Sequence, residues 1–185
     1  MADIAETGCL ILWGYNPSYN RLTHATAALA AKRRGAKLIV IDPRHVGLAG
    51  KADLWIRPRP GTDGALACAV MHVLFAEGMA DWTYLRKYTD CPDELAAHVK
   101  MRTPQWASDI TGLPAQTIID FARAYGRARS SFIRCHHGFS RSRNGAANMH
   151  AVTCLPAVTG AWQHLGGGAI YGHTAIYPLN RTLIE

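Results

Sequence analysis

The sequence predicts an α/β protein with a Rossmann-like, doubly wound and mostly parallel sheet that carries a helical insertion. Two short aliphatic runs, Cys9–Trp13 and Lys37–Ile41, have the length and composition of strands buried in a parallel sheet. An alanine-rich segment, residues 18–34, lies between them and predicts a helix that ends before Gly35. Strand, helix and strand form a βαβ unit, in which parallel strands and a right-handed crossover are expected.

A third strand and a second long helix continue this alternation. The strand is predicted at residues 54–56, because Pro58 and Pro60 end the apolar run there. The helix is predicted at residues 62–77 and is apolar along one side, so we expect it to pack on the sheet.

Residues 79–126 are predicted to form a helical excursion on the outside of the sheet. Its helix starts are marked by Asp81, by Thr103 before a proline, and by Pro114. Residues 130–133 then return to the sheet as a strand that leads into a polar, basic segment.

The C-terminal part is predicted to contain a helix at residues 145–158 and a loop with three glycines at residues 166–168. We expect residues 1–185 to form a single α/β domain, because a chain of this length with 49% hydrophobic residues buries one core.

The apolar runs, net charge and cysteines limit which membrane, nucleic-acid and metal partners the sequence can have. No apolar run reaches the roughly 20 residues of a membrane-spanning helix, so no membrane segment is expected. A cytoplasmic location is expected as well, and a periplasmic one would require an export signal upstream of residue 1. The net charge of +7 permits nucleic acid, but no RNA-binding or helix-turn-helix motif accompanies it, so no nucleic-acid partner is predicted. The five cysteines form no C-x-x-C pair and are expected to be buried, reduced thiols.

Two carboxylates mark a candidate ligand site. Asp42 follows the second strand directly, and Asp63 opens the second long helix. Because ligands of open α/β sheets lie beyond the carboxyl ends of the strands, both side chains are expected on that rim. Carboxylates there suit hydrogen-bond donors such as ribose hydroxyls and the amino edge of a purine.

The loops after the first and fourth strands are the other candidates. The first lacks the G-x-G-x-x-G fingerprint, and its Gly14, Asn16 and Pro17 fit a structural turn as well as a phosphate-binding turn. In the other, Arg141 and Arg143 suit a diphosphate. The adjacent histidines there do not predict a metal site, because neighbours on a strand point to opposite faces and no third ligand has suitable spacing.

Several motifs occur in a fixed order along almost the whole chain. They are residues 13–17 (WGYNP), 40–44 (VIDPR), 52–55 (ADLW), 59–66 (RPGTDGAL), 77–81 (EGMAD), 103–106 (TPQW), 110–112 (ITG), 159–160 (TG) and 166–168 (GGG). Together they resemble the central cofactor-binding part of molybdopterin oxidoreductases of the dimethyl sulfoxide reductase and formate dehydrogenase type.

The resemblance implies a catalytic subunit that carries molybdenum or tungsten on two molybdopterin guanine dinucleotides. It implies that this chain holds the guanosine diphosphate part of one of them. The iron–sulfur cluster, the metal-ligating residue and a C-terminal domain are expected outside this segment, so the chain is expected to be a fragment without catalytic residues of its own. Its expected partners are the remaining domains of the enzyme and electron-transfer subunits.

Site residues follow from the matching motifs. The turn at residues 13–20 corresponds to the segment against the diphosphate and nucleoside, Asp42 and Arg44 to the pair near the ribose, and Asp63 to the carboxylate on the guanine amino edge. The full set of cofactor-binding residues implied is Trp13, Gly14, Asn16, Asn20, Asp42, Pro43, Arg44, Gly61, Thr62, Asp63, His137 and Arg141.

Two other classes remain open from the sequence alone. One is a free-standing Rossmann-like module that binds NAD or GDP. The absence of the G-x-G-x-x-G fingerprint argues against NAD as its ligand. The other is an interaction or nucleic-acid-binding domain, which only the basic charge supports.

Overall fold

The parallel sheet lies at the centre of the chain. The structure is a computed structural model that describes residues 2–172. Over that range it contains the following strands: β1 (Cys9–Trp13), β2 (Lys37–Ile41), β3 (Leu54–Ile56), β4 (Ser131–Cys135) and β5 (Gly168–Ile170). They pair in the order β3-β2-β1-β4-β5, all parallel. This order matches that of doubly wound dinucleotide-binding sheets, so the predicted fold class is confirmed.

Helices cover both faces of the sheet. They are α1 (Pro17–Asn20), α2 (Leu22–Arg33), α3 (Asp63–Ala76), α4 (Trp82–Tyr88), α5 (Pro92–Val99), α6 (Pro104–Thr111), α7 (Ala115–Gly126), α8 (His137–Ser140) and α9 (Gly145–Val158). Short 3₁₀ segments lie at Ala2–Ala5, Gly47–Lys51 and Ala161–Gln163. Helices α4 to α7 thus occupy the predicted excursion, and the carboxylate of Asp81 and the hydroxyl of Thr103 cap α4 and α6 as expected.

The strands alternate their side chains between two cores. Ile11 and Trp13 of β1 face the larger core with α3, α7 and α9, whereas Leu10 and Leu12 face the smaller core beneath α2. The ring of Phe121 meets that of Trp13 edge to face at 5.9 Å. Because full burial of a large apolar side chain stabilises by about 1.5–3 kcal/mol, these cores fix the positions of the loops at the carboxyl ends of the strands.

The prediction of one continuous helix at residues 18–34 was wrong. The helix is interrupted at Arg21, whose φ of −152° and ψ of 68° are not helical. The interruption places the first turn of α2 beside Tyr15, whose hydroxyl hydrogen-bonds with Nδ1 of His24. The two residues are nine apart in the sequence, and neither helix nor turn spacing predicts this bond.

Other differences lie near the C-terminal half. The glycine-rich segment is not only a loop, because Gly168 begins β5; a Cβ there would lie 2.6 Å from the ring of Trp162. Strand β4 continues to Cys135 rather than ending at residue 133, so Arg134 belongs to the sheet. Helices α5 and α8 were not predicted as separate helices; they are short, with eight and four residues.

The cysteines follow the prediction in part. All five are free, but Cys91 is exposed, whereas Cys9 and Cys135 are buried. Burial raises the pKa of Cys9 and of Cys135 to about 12, so both thiols are protonated at neutral pH. Among residues 2–172, no helix is both long enough and apolar enough to cross a membrane.

Replacing Asp53 by asparagine should lower the free energy of unfolding by about 1 kcal/mol at pH 7. Its carboxylate accepts hydrogen bonds from the Leu38 amide at 2.8 Å and from the Lys32 ammonium, tying β2 to the end of α2. Burial opposes ionisation, but these two bonds outweigh it and hold the pKa of Asp53 below its ordinary value. A lowered pKa stabilises above the ordinary value near 4 and loses that contribution as pH falls through the shifted one.

Urea unfolding of both proteins at pH 7 and pH 2.5 measures this difference, which should shrink at low pH. Asp93→Asn is the matched control, because this carboxylate is exposed and lies 3.8 Å from Arg86. Equal stabilities of the Asp53→Asn and Asp93→Asn proteins at pH 7 would contradict the role given to Asp53.

Candidate functional site

A cavity of about 260 Å³ opens at the carboxyl edge of the sheet. Its walls come from the loops that follow four strands, β1 to β4. The residues expected in the site from the sequence that also line this cavity are Gly14, Asp42, Pro43, Arg44, Gly61, Asp63 and Arg141. Both carboxylates singled out by the sequence therefore border one cavity, at the place where open α/β sheets bind ligands.

Asp63 is held in a fixed orientation by β1. It is the first residue of α3, and only 6% of its surface is exposed, so it is more buried than a position on an open rim. Its Oδ1 accepts a 2.7 Å hydrogen bond from Nε1 of Trp13, which is itself fully buried. Its Oδ2 accepts no hydrogen bond from another residue in the described part of the chain. Trp13 thus anchors one carboxylate oxygen of Asp63, a residue that lines the cavity.

Burial also sets the protonation of Asp63. Desolvation raises the pKa of this carboxyl above its ordinary value of 3.8, and the hydrogen bond from Trp13 opposes the shift. A donor-bearing ligand that satisfied Oδ2 would favour the ionised form further. The Asp63 carboxylate is therefore a hydrogen-bond acceptor in a site that excludes most water.

Asp42 closes a tight turn after β2. It is 8% exposed, and its Oδ1 accepts the Arg44 amide at 2.8 Å, as expected for an aspartate that bonds the backbone two residues on. The Arg44 guanidinium lies 3.8 Å from the same oxygen, but its side chain is largely exposed. The backbone oxygen of Asp42 accepts from Nε1 of Trp55 at 3.0 Å. This turn therefore holds Oδ1 of Asp42 and places the exposed Arg44 guanidinium beside it at the cavity.

An asparagine network holds the loop that carries Gly61. Asn148, from α9, is 2% exposed, and its Oδ1 accepts the Gly64 amide at 3.0 Å, which caps α3. Its Nδ2 donates toward Ser142 at 3.2 Å, and Asn144 donates to the Gly61 carbonyl at 3.0 Å. These contacts fix the loop between β3 and α3 against the segment after β4.

Sequence reasoning missed this network and part of the cavity wall. Its only local signal is a pair of asparagines four residues apart at the start of a predicted helix, which is typical of an ordinary cap. The lining residues that were not predicted as site residues are Ile41, Pro58, Arg59, Pro60, Gly138 and Ser142.

Arg59 forms the wall next to α6. Its Nη1 donates to the carbonyls of Asp109 and Ile110 at 3.1 and 3.3 Å, so the cation sits at the C-terminal end of a helix. Gly112 lies against it with φ of +74°, and a Cβ there would lie 3.2 Å from Nε of Arg59. The helical excursion thus contributes to the site by holding this arginine.

Two predicted site residues lie behind the cavity rather than on its wall. Trp13 is fully buried and acts on the site through Asp63. Asn16 is half-buried, and its Oδ1 is buried without a hydrogen-bond partner in residues 2–172. Gly47, with φ of +58°, packs on this amide so closely that a Cβ would lie 2.2 Å from Oδ1. Ligand contact by either residue stays a prediction.

Three more predicted residues do not line the cavity. Asn20 is exposed at the end of α1. The hydroxyl of Thr62 donates to the Arg59 carbonyl at 2.6 Å, a bond within the loop. Nδ1 of His137 hydrogen-bonds with the Tyr171 hydroxyl at 2.6 Å. Their roles toward a cofactor stay predictions, and no cluster of metal-ligating side chains occurs among the described residues.

The doubly wound parallel sheet, with its cavity beyond the strand ends, defines an α/β domain of the dinucleotide-binding type of architecture. The family model named molybdopterin oxidoreductase matches residues 1–178, and the chain belongs to that family. The resemblance drawn from the ordered motifs is thereby confirmed.

Curated relatives agree with this assignment. The probable oxidoreductase YoaE of Bacillus subtilis is 38% identical over 99% of this chain and 27% of its own length. The dimethyl sulfoxide reductase DmsA of Haemophilus influenzae is 37% identical over 86% of this chain and 23% of its own. The alpha subunit of F420-dependent formate dehydrogenase 1 of Methanococcus maripaludis is 32% identical over 86% of this chain and 24% of its own. The chain therefore spans about a quarter of the length of these relatives.

A solved structure shows the same fold. Acetylene hydratase from Pelobacter acetylenicus superposes with a TM-score of 0.80 at 26% identity, over 89% of this chain and 23% of that one. Membership of the family implies a pterin cofactor that carries molybdenum or tungsten. The cavity of about 260 Å³ is below the roughly 300–1,000 Å³ of sites that enclose a drug-sized ligand, so it fits one part of such a cofactor.

Proposed function

We propose that this chain binds the guanosine diphosphate part of a molybdopterin guanine dinucleotide, as one domain of a molybdenum- or tungsten-dependent oxidoreductase. The observation that carries the proposal is the buried Asp63 carboxylate, which Trp13 anchors through one oxygen and which belongs to a residue that lines the cavity. The family, with its dimethyl sulfoxide reductase and formate dehydrogenase relatives, supports the assignment to an oxidoreductase.

The chemistry of Asp63 favours guanine among the bases. A carboxylate only accepts hydrogen bonds, and the guanine edge offers the N1–H and N2–H donors side by side. The corresponding edge of adenine carries an acceptor at N1, which would face the carboxylate without a donor. Because an unpaired charge in a buried site is costly, this difference discriminates between the two purines.

The walls next to Asp63 suit the rest of the nucleotide. An acidic residue after the second strand of a doubly wound sheet accepts hydrogen bonds from ribose hydroxyls, and Asp42 occupies that position. Arg141 lines the cavity on the side of β4 and can pair with a phosphate, while the backbone at Gly14 allows close approach.

The remaining parts of the proposal concern the whole enzyme. The pterin and metal, in the form of the bis(molybdopterin guanine dinucleotide), would supply the redox chemistry when bound, and this chain's residues would hold and orient one nucleotide end. We propose that the chain alone is catalytically inactive, that other enzyme domains and electron-transfer subunits are its partners, and that it works in the cytoplasm.

Titration with nucleotides tests the binding function. GDP at 100 times its dissociation constant should raise the free energy of unfolding by about 2.7 kcal/mol, measured by urea unfolding with and without ligand. ADP and NADH at the same concentration should give much smaller shifts. A shift with NADH equal to that with GDP would instead support a free-standing NAD-binding module.

The affinity for guanosine should rise with pH through the range in which Asp63 ionises. Because burial raises the pKa of Asp63, part of this carboxyl is protonated at pH values where an exposed aspartate is fully charged. A protonated carboxyl accepts only weakly, so binding weakens as pH falls through the raised pKa. Calorimetric titration between pH 4 and pH 7.5 measures this, and guanosine is used because its lack of phosphates leaves the carboxyl as the titrating group.

Asp63→Asn serves as the control for this pH series, since it has no ionisable group at the site. Its weaker guanosine affinity should be the same across the series. An identical pH dependence in the wild-type protein and Asp63→Asn would assign the effect to another group and contradict the role of Asp63.

A further inference from the structure

Arg134 is a buried cation with few of the partners that such a group needs. It lies near the end of β4 and is 6% exposed. Its Nη1 donates to the carbonyls of Cys135 and Ile170 at 2.7 and 3.1 Å. Its guanidinium carbon lies 4.8 Å from the ring centroid of Tyr15, and its Nε is buried without a hydrogen-bond partner.

No carboxylate within residues 2–172 forms an ion pair with Arg134. Burial lowers the pKa of its guanidinium, the Tyr15 and Cys135 side chains oppose this, and the positive charge of Arg21 adds to it. Burial and then the charges of Arg134 and Arg21 also lower the pKa of His24. A buried charge without a counterion is unfavourable, and a nearby anion would compensate it.

Arg134 lies in the part of the fold where sheets of this type bind anionic ligands. Strands β1 and β4 are adjacent, and the order of the sheet reverses between them, which is where doubly wound sheets seat the phosphates of a dinucleotide. Tyr15 lies two residues after the end of β1, so the Arg134 guanidinium packs against the turn at residues 14–17.

The turn leads into the short helix α1 and then into α2. The 12-residue helix α2 begins after Arg21 without a side-chain cap, and its His24 amide donates to the Arg21 carbonyl at 2.8 Å. The positive end of the helix dipole lies at this start. The hydroxyl of Tyr15 hydrogen-bonds with His24 in that turn. Contacts therefore link Arg134 to Tyr15, and Tyr15 to the first turn of α2.

We propose that Arg134 is a positioning residue for a diphosphate, which it serves by holding Tyr15 and the turn after β1 in place and by adding positive potential at the start of α2. The proposal rests on the nucleotide-binding function above, and it assigns Arg134 a role that acts through Tyr15 and not through contact with the ligand. Because Arg134 carries a positive charge, its effect is expected on binding of the diphosphate and not on binding of the base.

Calorimetric titration with two probes tests this role, because guanosine lacks the diphosphate that GDP carries. Arg134→Gln should weaken GDP binding about tenfold and leave guanosine binding within about twofold, since only the charged ligand interacts with the lost charge. Arg134→Lys keeps the charge and should retain most of the GDP affinity. Arg33→Gln, at the far end of α2 and exposed, is the matched control and should change neither affinity.

Two outcomes overturn the inference and are distinguishable from each other. If the wild-type protein binds GDP and guanosine but Arg134→Gln changes both affinities equally, Arg134 is only a structural part of β4. If the wild-type protein binds neither ligand, the nucleotide-binding function itself fails. Should Arg134→Gln not fold, as judged by circular dichroism, Arg134→Met removes the same charge with an apolar chain of similar length and gives the same comparison of the two ligands.

Discussion

Asp63→Asn should weaken GDP binding about 30- to 1,000-fold, which corresponds to about 2–4 kcal/mol for the lost charge-assisted hydrogen bonds in a buried site. An asparagine presents an amide nitrogen where the second carboxylate oxygen lies, so guanine donors then face a donor. Its carbonyl oxygen can still accept from Trp13, as Oδ1 of Asp63 does at 2.7 Å, so the fold is preserved. Calorimetry with GDP and ADP measures the effect on affinity and on the preference between bases.

A matched control separates this effect from a general loss of charge. Asp120→Asn removes an exposed carboxylate whose contact is with Gln116 on its own helix, so its GDP affinity should equal that of the wild-type protein. If Asp63→Asn unfolds and the affinity per folded molecule is unchanged, Asp63 is a structural cap of α3. An unchanged GDP affinity in a folded Asp63→Asn protein would likewise remove the basis for guanine recognition.

Asn148→Leu should lower the free energy of unfolding by about 2–4 kcal/mol, because it leaves buried donors and acceptors unsatisfied and removes the cap of α3. The Gly64 amide loses its acceptor at 3.0 Å, and the Gly61 carbonyl loses one of its donors. The loop bearing Gly61 then loses its fixed position, so GDP affinity should fall as well. Urea unfolding and calorimetry on the same protein measure both effects.

The control for this variant lies on the same helix. Thr153 is exposed, and its hydroxyl only donates to backbone carbonyls one turn back, so Thr153→Ala should stay within about 0.5 kcal/mol of wild type. If Asn148→Leu is destabilised but binds GDP with wild-type affinity, the asparagine network supports the fold alone and does not shape the cavity.

The sequence predicted those parts of the fold that local patterns determine. The β1 and β2 runs are strands because unbroken aliphatic segments of that length fit a buried parallel sheet. Asp42 was predicted as a site residue because Pro43 ends the strand there. Asp63 was predicted because Gly61 ends the preceding loop and a helix begins at Asp63. These local rules determine where the chain leaves each strand. They therefore predicted correctly that both carboxylates lie at the same edge of the sheet.

The contacts that shape the site were not predictable in the same way. Trp13 and Asp63 are 50 residues apart, and Gly64 and Asn148 are 84 apart, so neither bond leaves a trace in local spacing. The burial of Arg134 depends on the pairing of β4 with β1, which is a tertiary property. Single-sequence patterns place residues at the correct edge of a sheet, and packing decides which of them are buried and which polar atoms are satisfied.

The most direct test of the central claim is a crystal structure of this chain with GDP at saturating concentration. The account predicts density for the guanine with its N1 and N2 atoms within hydrogen-bond distance of Oδ2 of Asp63, and for the ribose beside Asp42. Density for the base elsewhere on the protein, or a cavity without nucleotide under those conditions, would contradict it.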